Sequence, residues 1–486
     1  MNDRKKVVTN LFWRFLERCG AQGVTFIVSI VLARLLDPSV YGTIALVTVF
    51  TTIMQVFVDS GMGNALIQKK DADDLDFSSV FYFNITICAC LYVVMFFAAP
   101  LIAAFYEMPE LTPIVRVLSL MLLISGVKNV QQAYVSRNLL FKRFFFATLG
   151  GTIGAAVIGI TMAYLGFGVW ALVAQMLFNA TLDTIILWLT VKWRPKREFS
   201  LDRLKTLFSY GWKLLASALL ETVYNDLRQL VIGKIYSKED LAQYNQGGKF
   251  PRLIVTNINT SIDSVLLPTM SKAQDDRTLV KNMTRRAIKT STFIMMPIMV
   301  GLAVCAKPLV SVVLTDKWLP CVPFLRIFCF TYAFYPIHTA NLNAIKALGR
   351  SDLFLKLEII KKVVGIIALL STMWISVMAM AYSLLVTSVL SQIINSWPNK
   401  KLMNYSYLEQ LRDLSPQILL SLSMGVLVFC VQFLGLSNLL TLLIQVPLGA
   451  VVYISCSKLL HIDSFEYIVD TVKGFLKKRR ENKAAQ

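Results

Sequence analysis

The sequence predicts an all-α polytopic membrane protein: 14 transmembrane helices in two pseudo-symmetric six-helix lobes, plus two extra helices. Three observations carry that prediction. First, 56% of the 486 residues are hydrophobic, 16% are charged, and mean hydropathy is +0.60; soluble domains hold about 25% charged residues. Second, the apolar residues fall in runs near the roughly 20 residues that a helix needs to cross a bilayer. Third, Lys and Arg exceed Asp and Glu by 20, and the surplus is distributed by loop. A soluble globular enzyme and a disordered chain are both excluded.

In chain order, the runs lie near 9–32, 41–65, 78–104, 112–132, 145–165, 168–191, 209–233, 247–270, 290–306, 322–344, 353–372, 374–397, 416–434 and 437–457. The first follows a basic MNDRKKVVTN segment without an A-x-A-like cleavage site, so it reads as an uncleaved helix. Connections at LGFG (165–168), MWIS (373–376) and GLSN (435–438) are so short that the flanking helices must be antiparallel neighbours. After the last run, Ile462, Phe465, Val469, Val472 and Leu476 recur at helical spacing and KKRR follows. This predicts an interfacial amphipathic helix on an anionic leaflet.

With an even number of spans, both termini share one side. The segments on that side carry 33 basic residues; the opposite loops carry five, Arg34, Lys234, Lys238, Lys307 and Lys317. The asymmetry places both termini in the cytoplasm. The basic surplus is then topology, and nucleic acid is not expected as a partner.

The remaining 11 basic residues fall within spans: Arg14, Arg18, Arg116, Lys128, Lys213, Arg228, Lys249, Arg252, Arg326, Lys361 and Lys362. A central Arg or Lys facing lipid costs about 2.5–3.5 kcal/mol even on the lenient scale. Lys213, Lys361 and Lys362 are placed to snorkel from helix ends, and the others need partners or a water-filled cavity.

Two halves are visible. A shift of 200 aligns LLDPSVYGTI (35–44) with IYSKEDLAQY (235–244). A shift of 204 aligns VDSG (58–61) with IDSV (262–265), and a shift of 208 aligns GVWALVAQ (168–175) with SVMAMAYS (376–383). We read an N-lobe over 1–205, a C-lobe over 206–405, an added helix pair over 406–458 and a basic tail over 459–486. Parallel repeats of this kind build transporters with the substrate site between lobes. Polar stripes step by three or four along helix 1 (Arg14, Arg18, Gln22, Thr25, Ser29), helix 2 (Thr48, Thr52, Gln55, Asp59), helix 7 (Lys213, Ser217, Glu221, Asn225, Arg228) and helix 8 (Lys249, Arg252, Thr256, Asn259, Asp263). Helix–helix hydrogen bonding would account for the neutral members alone. The charges on the same faces favour a cavity.

The stretches IVLARLLDPSVYGTIALVTVF (30–50) and QVFVDSGMGNALIQKK (55–70) resemble the opening of the Wzx-type polysaccharide and O-antigen repeat-unit flippases. Colanic-acid and teichuronic-acid exporters are close relatives within the multidrug/oligosaccharidyl-lipid/polysaccharide superfamily. The resemblance implies alternating-access export of an undecaprenyl-diphosphate-linked repeat unit from the cytoplasmic to the outer leaflet, with assembly proteins as further partners. The physical reading agrees, because Arg and Lys bind phosphate. We therefore expect Arg14, Arg18, Lys128, Arg228, Lys249 and Arg252 to face the lipid-linked anionic oligosaccharide. Asp59, Glu221, Asp226, Asp263 and Lys213 are candidates for gating or for coupling to H⁺ or Na⁺.

Alternatives are an ion-coupled drug exporter of the same superfamily and a membrane-embedded glycan polymerase or ligase. The longest outer loop, 306–321, is too short for a catalytic domain, and no GxxxxGK[ST] loop supports an ATP-driven pump. No catalytic residue, metal site or cofactor is expected. The DADDLD run (71–76) reads as a solvated acidic loop capping helix 3 rather than a metal cluster, and His338 as a structural histidine. Cys305 and Cys321 read as two buried small hydrophobes, with a disulfide the lesser alternative.

Overall fold

The computed structural model describes residues 20–59, 62–69, 71–138 and 140–484. Among them every regular element is helical. The chain divides into two compact units, 1–242 and 243–486.

The first unit holds α1 (Gly20–Leu35), α2 (Pro38–Asp59), α3 (Met62–Gln68), α4 (Asp74–Tyr106), α5 (Leu111–Leu118), α6 (Leu120–Arg137), α7 (Phe141–Tyr164), α8 (Val169–Thr190), α9 (Leu201–Ile235) and the first residues of α10 (Lys238–Ser271). The boundary expected at residue 205 falls inside α9, an unbroken helix that packs against α2, α3 and α4. The second unit holds the rest of α10, then α11 (Arg277–Val304), α12 (Ala306–Val313), α13 (Val322–Ala333), α14 (Tyr335–Ala347), α15 (Ser351–Thr372), α16 (Val377–Met403), α17 (Tyr407–Cys430), α18 (Asn438–Leu459) and α19 (Asp463–Ala484).

Ten of the described helical segments are long and apolar enough to cross a membrane. Four expected spans are outside that set for separate reasons. Helix α1 is described over Gly20–Leu35 alone. Helix α15 carries Lys356, Glu358, Lys361 and Lys362 along its length. Helices α9 and α10, at 35 and 34 residues, have the length but are too polar.

Several expected single spans are broken. The run at 41–65 is split between α2 and α3, and the run at 112–132 is split at Ser119. The run at 322–344 breaks at Phe334, one residue before Tyr335-Pro336 opens α14. Proline suits a helix's first turn, where its missing N–H is not required. Two expected loops are partly helical: α9 begins at Leu201, and 306–321 forms α12 followed by a 3-10 turn at Asp316–Cys321. Cys305 and Cys321 are buried and unbonded to each other.

Within each unit, loops assigned to one side meet loops of that side. In the first unit Lys234 pairs with Glu107 at 2.9 Å and Lys238 with Glu110 at 3.0 Å. At its other end Lys196 pairs with Asp74 at 2.8 Å, and Arg203 reaches Asp73 and Asp76 at 3.5 Å. In the second unit Lys281 pairs with Glu409 at 3.1 Å and Lys289 with Asp463 at 2.5 Å, while Arg285 bonds Asp413. Asn438 meets Ser311 at 3.0 Å at the opposite end. Lys234 holds the Glu107 carboxyl below its ordinary pKa by donating a hydrogen bond to it.

The DADDLD run caps α4, as expected, through a reciprocal capping box between Asp73 and Asp76. The backbone N–H of Asp76 holds the Asp73 carboxyl below its usual range. Asp76 corrects the expectation of a fully solvated loop: it is wholly buried and takes the Lys69 ammonium on both oxygens, at 2.7 and 2.6 Å. The hydroxyls of Ser78 and Ser79 accept the backbone N–H groups of Lys196 and Ser200 at 3.0 Å. The 192–200 segment is thereby fastened to α4, with Trp193 set among Phe77, Phe81 and Tyr134.

Two intramembrane arginines turn out to be backbone caps. Pro100 lies inside α4 and has no N–H, so the carbonyl of Phe96 four residues earlier loses its helical donor. Arg116 Nε donates to that oxygen at 3.2 Å, and its guanidinium sits 4.1 Å from the Phe96 ring centroid. In the second unit Arg326 Nε donates to the carbonyl of Ala303 at 3.2 Å, in the last turn of α11 where carbonyls lack helical partners. Replacing Arg116 with Ala should cost about 1.5 kcal/mol, the low end for a charged donor. Adding Pro100→Ala supplies the missing N–H, so the double variant should regain at least half of the lost thermal stability. Simple additivity of the two changes would show that the carbonyl is not what Arg116 serves.

Candidate functional site

Two helices carry the candidate residues, α9 in the first unit and α10 mostly in the second. Each is long enough to cross a bilayer and each presents polar side chains on an exposed face. On α9, Ser217, Glu221 and Asn225 are exposed at a spacing of four, with Asp226 and Arg228 half-buried beside them. Asn225 Nδ2 donates to Glu221 Oε1 at 3.2 Å, and Gln229 Nε2 donates to Asp226 Oδ1 at 3.0 Å. On α10, Arg252, Thr256, Thr260, Ser261 and Asp263 are exposed and Lys249 is half-buried. The hydroxyls of Thr260 and Ser261 donate to their own helix at 2.7 and 2.9 Å, which satisfies one valence and leaves their oxygens able to accept.

A turn of two residues, Tyr236 and Ser237, joins these helices, where a longer polar loop was expected. Ser237 makes the turn possible: its hydroxyl accepts the Asp240 N–H at 3.0 Å while the Asp240 carboxylate accepts the Ser237 N–H at 3.3 Å.

In the second unit, the far end of the polar face of α10 meets α14. Asn343 Nδ2 donates to Asp263 Oδ1 at 2.7 Å. One turn earlier Asn259 is 8% exposed, with both side-chain polar atoms lacking a hydrogen-bond partner among the described residues. Buried amides are ordinarily satisfied, so this position can both donate to and accept from a ligand or water. In the same unit, α14, α16 and α17 share buried amide contacts: Asn341 accepts from Asn399 at 2.6 Å and donates to Gln410 at 2.9 Å, and Asn395 meets His338 at 3.0 Å. His338 is thus held as a structural histidine.

The expected site residues separate into groups. Arg228, Lys249, Arg252, Glu221, Asp226 and Asp263 lie on α9 and α10. Lys128 is on α6, paired with Asp183 of α8 at 2.5 Å. Lys361 pairs with Glu358 on its own helix at 2.6 Å. Arg14 and Arg18 lie outside the described residues, as do the side chains of Asp59 and Lys213. Sequence reasoning missed Thr260, Ser261 and Asn343. Thr260 and Ser261 sit one and two positions off the stripe that was followed, and the Asn343–Asp263 contact joins residues 80 apart. Among the described residues no cluster of His, Cys, Asp and Glu could hold a metal ion.

Long polar helices with exposed charged faces, set among apolar spans, define a membrane transporter. The fold agrees: the chain superposes on the lipid II flippase MurJ in its inward closed conformation with a TM-score of 0.75, covering 94% of this chain and 99% of that one at 17% identity. It matches an inward-facing multidrug resistance MATE family transporter of the MOP superfamily with a TM-score of 0.61, over 79% and 96% of the two chains at 15% identity. Residues 31–323 match the polysaccharide biosynthesis protein family, and the chain belongs to it. Its relatives include the teichuronic acid biosynthesis protein TuaB of Bacillus subtilis, 24% identical over 83% of this chain and 85% of that protein. The lipopolysaccharide biosynthesis protein WzxC of Escherichia coli is 24% identical over 82% and 80%, and the succinoglycan biosynthesis transport protein ExoT of Rhizobium meliloti 23% identical over 71% and 70%.

Proposed function

We propose that this protein flips polyprenyl-diphosphate-linked polysaccharide repeat units from the cytoplasmic to the outer leaflet of a bacterial inner membrane by alternating access. It does so with 14 spans and both termini in the cytoplasm. The observation that carries the reading is that α9 in the first unit and α10 in the second each present an exposed polar face. Facing lipid, Arg252 and Asp263 would each cost several kcal/mol; facing water, they cost little. Hydroxyls and amides that both donate and accept suit sugars, and Arg228, Lys249 and Arg252 suit a diphosphate. The names of TuaB, WzxC and ExoT, which give teichuronic acid, lipopolysaccharide and succinoglycan biosynthesis, favour this over drug export.

Arg14 and Arg18 complete the cationic set at the entry end in this reading. Asp59, Glu221, Asp226, Asp263 and Lys213 supply the gate and any coupling to H⁺ or Na⁺, and assembly proteins receive the product.

Deleting the gene should leave lipid-linked repeat units in the cytoplasmic leaflet, protected from a glycosidase added to spheroplasts. Arg252→Ala should lower export about tenfold at unchanged protein abundance, with Arg252→Lys milder. Repeat units equally accessible in the deletion strain and the parent would refute flipping.

A further inference from the structure

The C-terminal helix plays no part in the transport reading, and its sequence and attachment point to another surface. Helix α18 ends at Leu459 and the chain reverses through His461, whose φ of 48° is in the left-handed region. The Ile462 N–H returns to the Ser457 carbonyl at 3.1 Å, closing the turn. Helix α19 then runs for 22 residues and is too polar to cross a bilayer.

Its first two turns are anchored. Asp463 takes the Lys289 ammonium at 2.5 Å, and Gln417 donates to the Ser464 hydroxyl at 2.9 Å. The Phe465 ring meets Phe293 at 6.3 Å, and the Arg286 guanidinium lies 4.8 Å from the Tyr467 ring centroid. Lys289 holds the Asp463 carboxyl below its ordinary range by donating to it, so this anchor is charged at neutral pH. Ile462 and Ser464 are buried, and Phe465, Ile468 and Val469 half-buried.

The apolar register does not stop where the anchoring stops. Val472 and Leu476 continue it, while Lys473, Lys477, Lys478, Arg479, Arg480 and Lys483 stand against Asp470 and Glu481 over 470–486. The helix departs from the end of an apolar, membrane-crossing-length helix whose last residue, Leu459, and the following Leu460 are 77% and 63% exposed. It therefore starts at the level where a bilayer's headgroups begin. A sequence that continues the apolar spacing and adds a surplus of cations at that level matches one occupant, an anionic lipid surface.

We infer that the distal half of α19 is a docking surface for anionic lipid headgroups, held at the membrane face by its anchor to α11 and α17. This is independent of which substrate is flipped.

The test uses the full-length protein in nanodiscs of phosphatidylcholine alone, or of phosphatidylcholine with about one-third phosphatidylglycerol. Amide hydrogen exchange is followed over 470–484. Exchange should slow about tenfold in the anionic discs. The variant carrying Lys477→Gln, Lys478→Gln, Arg479→Gln and Arg480→Gln should lose that difference while exchange in α11 and α17 stays unchanged. Equal exchange in the two disc types would overturn the proposal, as would protection retained by the four-Gln variant. Protection appearing in phosphatidylcholine discs only when heparin is added would assign the surface to a soluble polyanion and overturn it as well. Since no repeat unit is present, none of these outcomes depends on flipping.

Discussion

Replacing Asp76 with Asn should destabilise the protein by about 3 kcal/mol, the low end for breaking a buried ion pair by removing one partner. The carboxylate is wholly buried and accepts Lys69 through both oxygens, Arg203 at 3.5 Å and the Asp73 N–H at 3.2 Å. Asparagine keeps the shape but presents a donor to an ammonium and leaves Lys69 uncompensated. The figure stays at the low end because the Lys69 and Arg203 side chains are 24% and 41% exposed and recover some hydration. Loss should spread along the chain, because α4 also carries the serines that fasten residues 196 and 200. The neighbouring Asp74→Asn is the control: its pair with Lys196 is about half exposed at both ends and should contribute little. Thermal unfolding in detergent separates the two. Equal shifts would mean that the acidic run acts only through its summed charge.

Much of the fold was legible because helix starts are written in short-range chemistry. The shift of 200 read from LLDPSVYGTI and IYSKEDLAQY falls on two helices that begin at Pro38 and Lys238. The shift of 208 falls on Val169 and Val377, the first residues of α8 and α16. Asp73 and Asp276 are both aspartate N-caps, of α4 and α11. These registers survive because a cap or a turn constrains a few adjacent residues, whatever the packing around them.

Polarity misled where it was used to separate helix from loop. Residues 238–246 are polar enough to read as a connection, yet they form the first turns of α10. Hydropathy cannot distinguish a polar helix facing water from a loop, and here the discriminating signal was the Ser237–Asp240 capping box. Side-chain pairing across helices was less legible still. Lys128 and Asp183 are 55 residues apart and meet only because α6 packs on α8. The Arg116 cap could have been anticipated: a proline inside an apolar span frees a carbonyl, and a cation on the next helix is the strongest donor available to it.

Enlarging Gly42 to Val should open one end of the first unit and abolish most export. The amide backbone of α10's first residue lies against Gly42, and a Cβ built there would stand 1.9 Å from the Lys238 carbonyl oxygen. Gly233 on α9 repeats the arrangement, with its ideal Cβ 2.1 Å from Leu46 Cδ2 on α2. Small residues at such a seam let helix backbones approach closely, and adding a side chain forces them apart at about 1–3 kcal/mol. Polar contacts then weaken together: the Lys234 ammonium donates to the Phe105 carbonyl at 2.5 Å and pairs with Glu107, Lys238 pairs with Glu110, and the Tyr106 hydroxyl donates to the Leu230 carbonyl at 3.4 Å. Lys234 and Glu107 are 35% and 83% exposed, so the pairs alone cannot hold the seam shut. The close glycine contact is what does so, and it is lost all at once. Leu46 is fully buried in this structure. A cysteine there should react with a membrane-impermeant maleimide at least tenfold faster when Gly42 is Val, and export should fall about tenfold or more. Lys234→Gln with Lys238→Gln should raise the same labelling only about twofold. If the lysine variant labels as fast as the glycine variant, electrostatics rather than backbone contact closes this end; if neither labels faster and export persists, the seam is not a moving part.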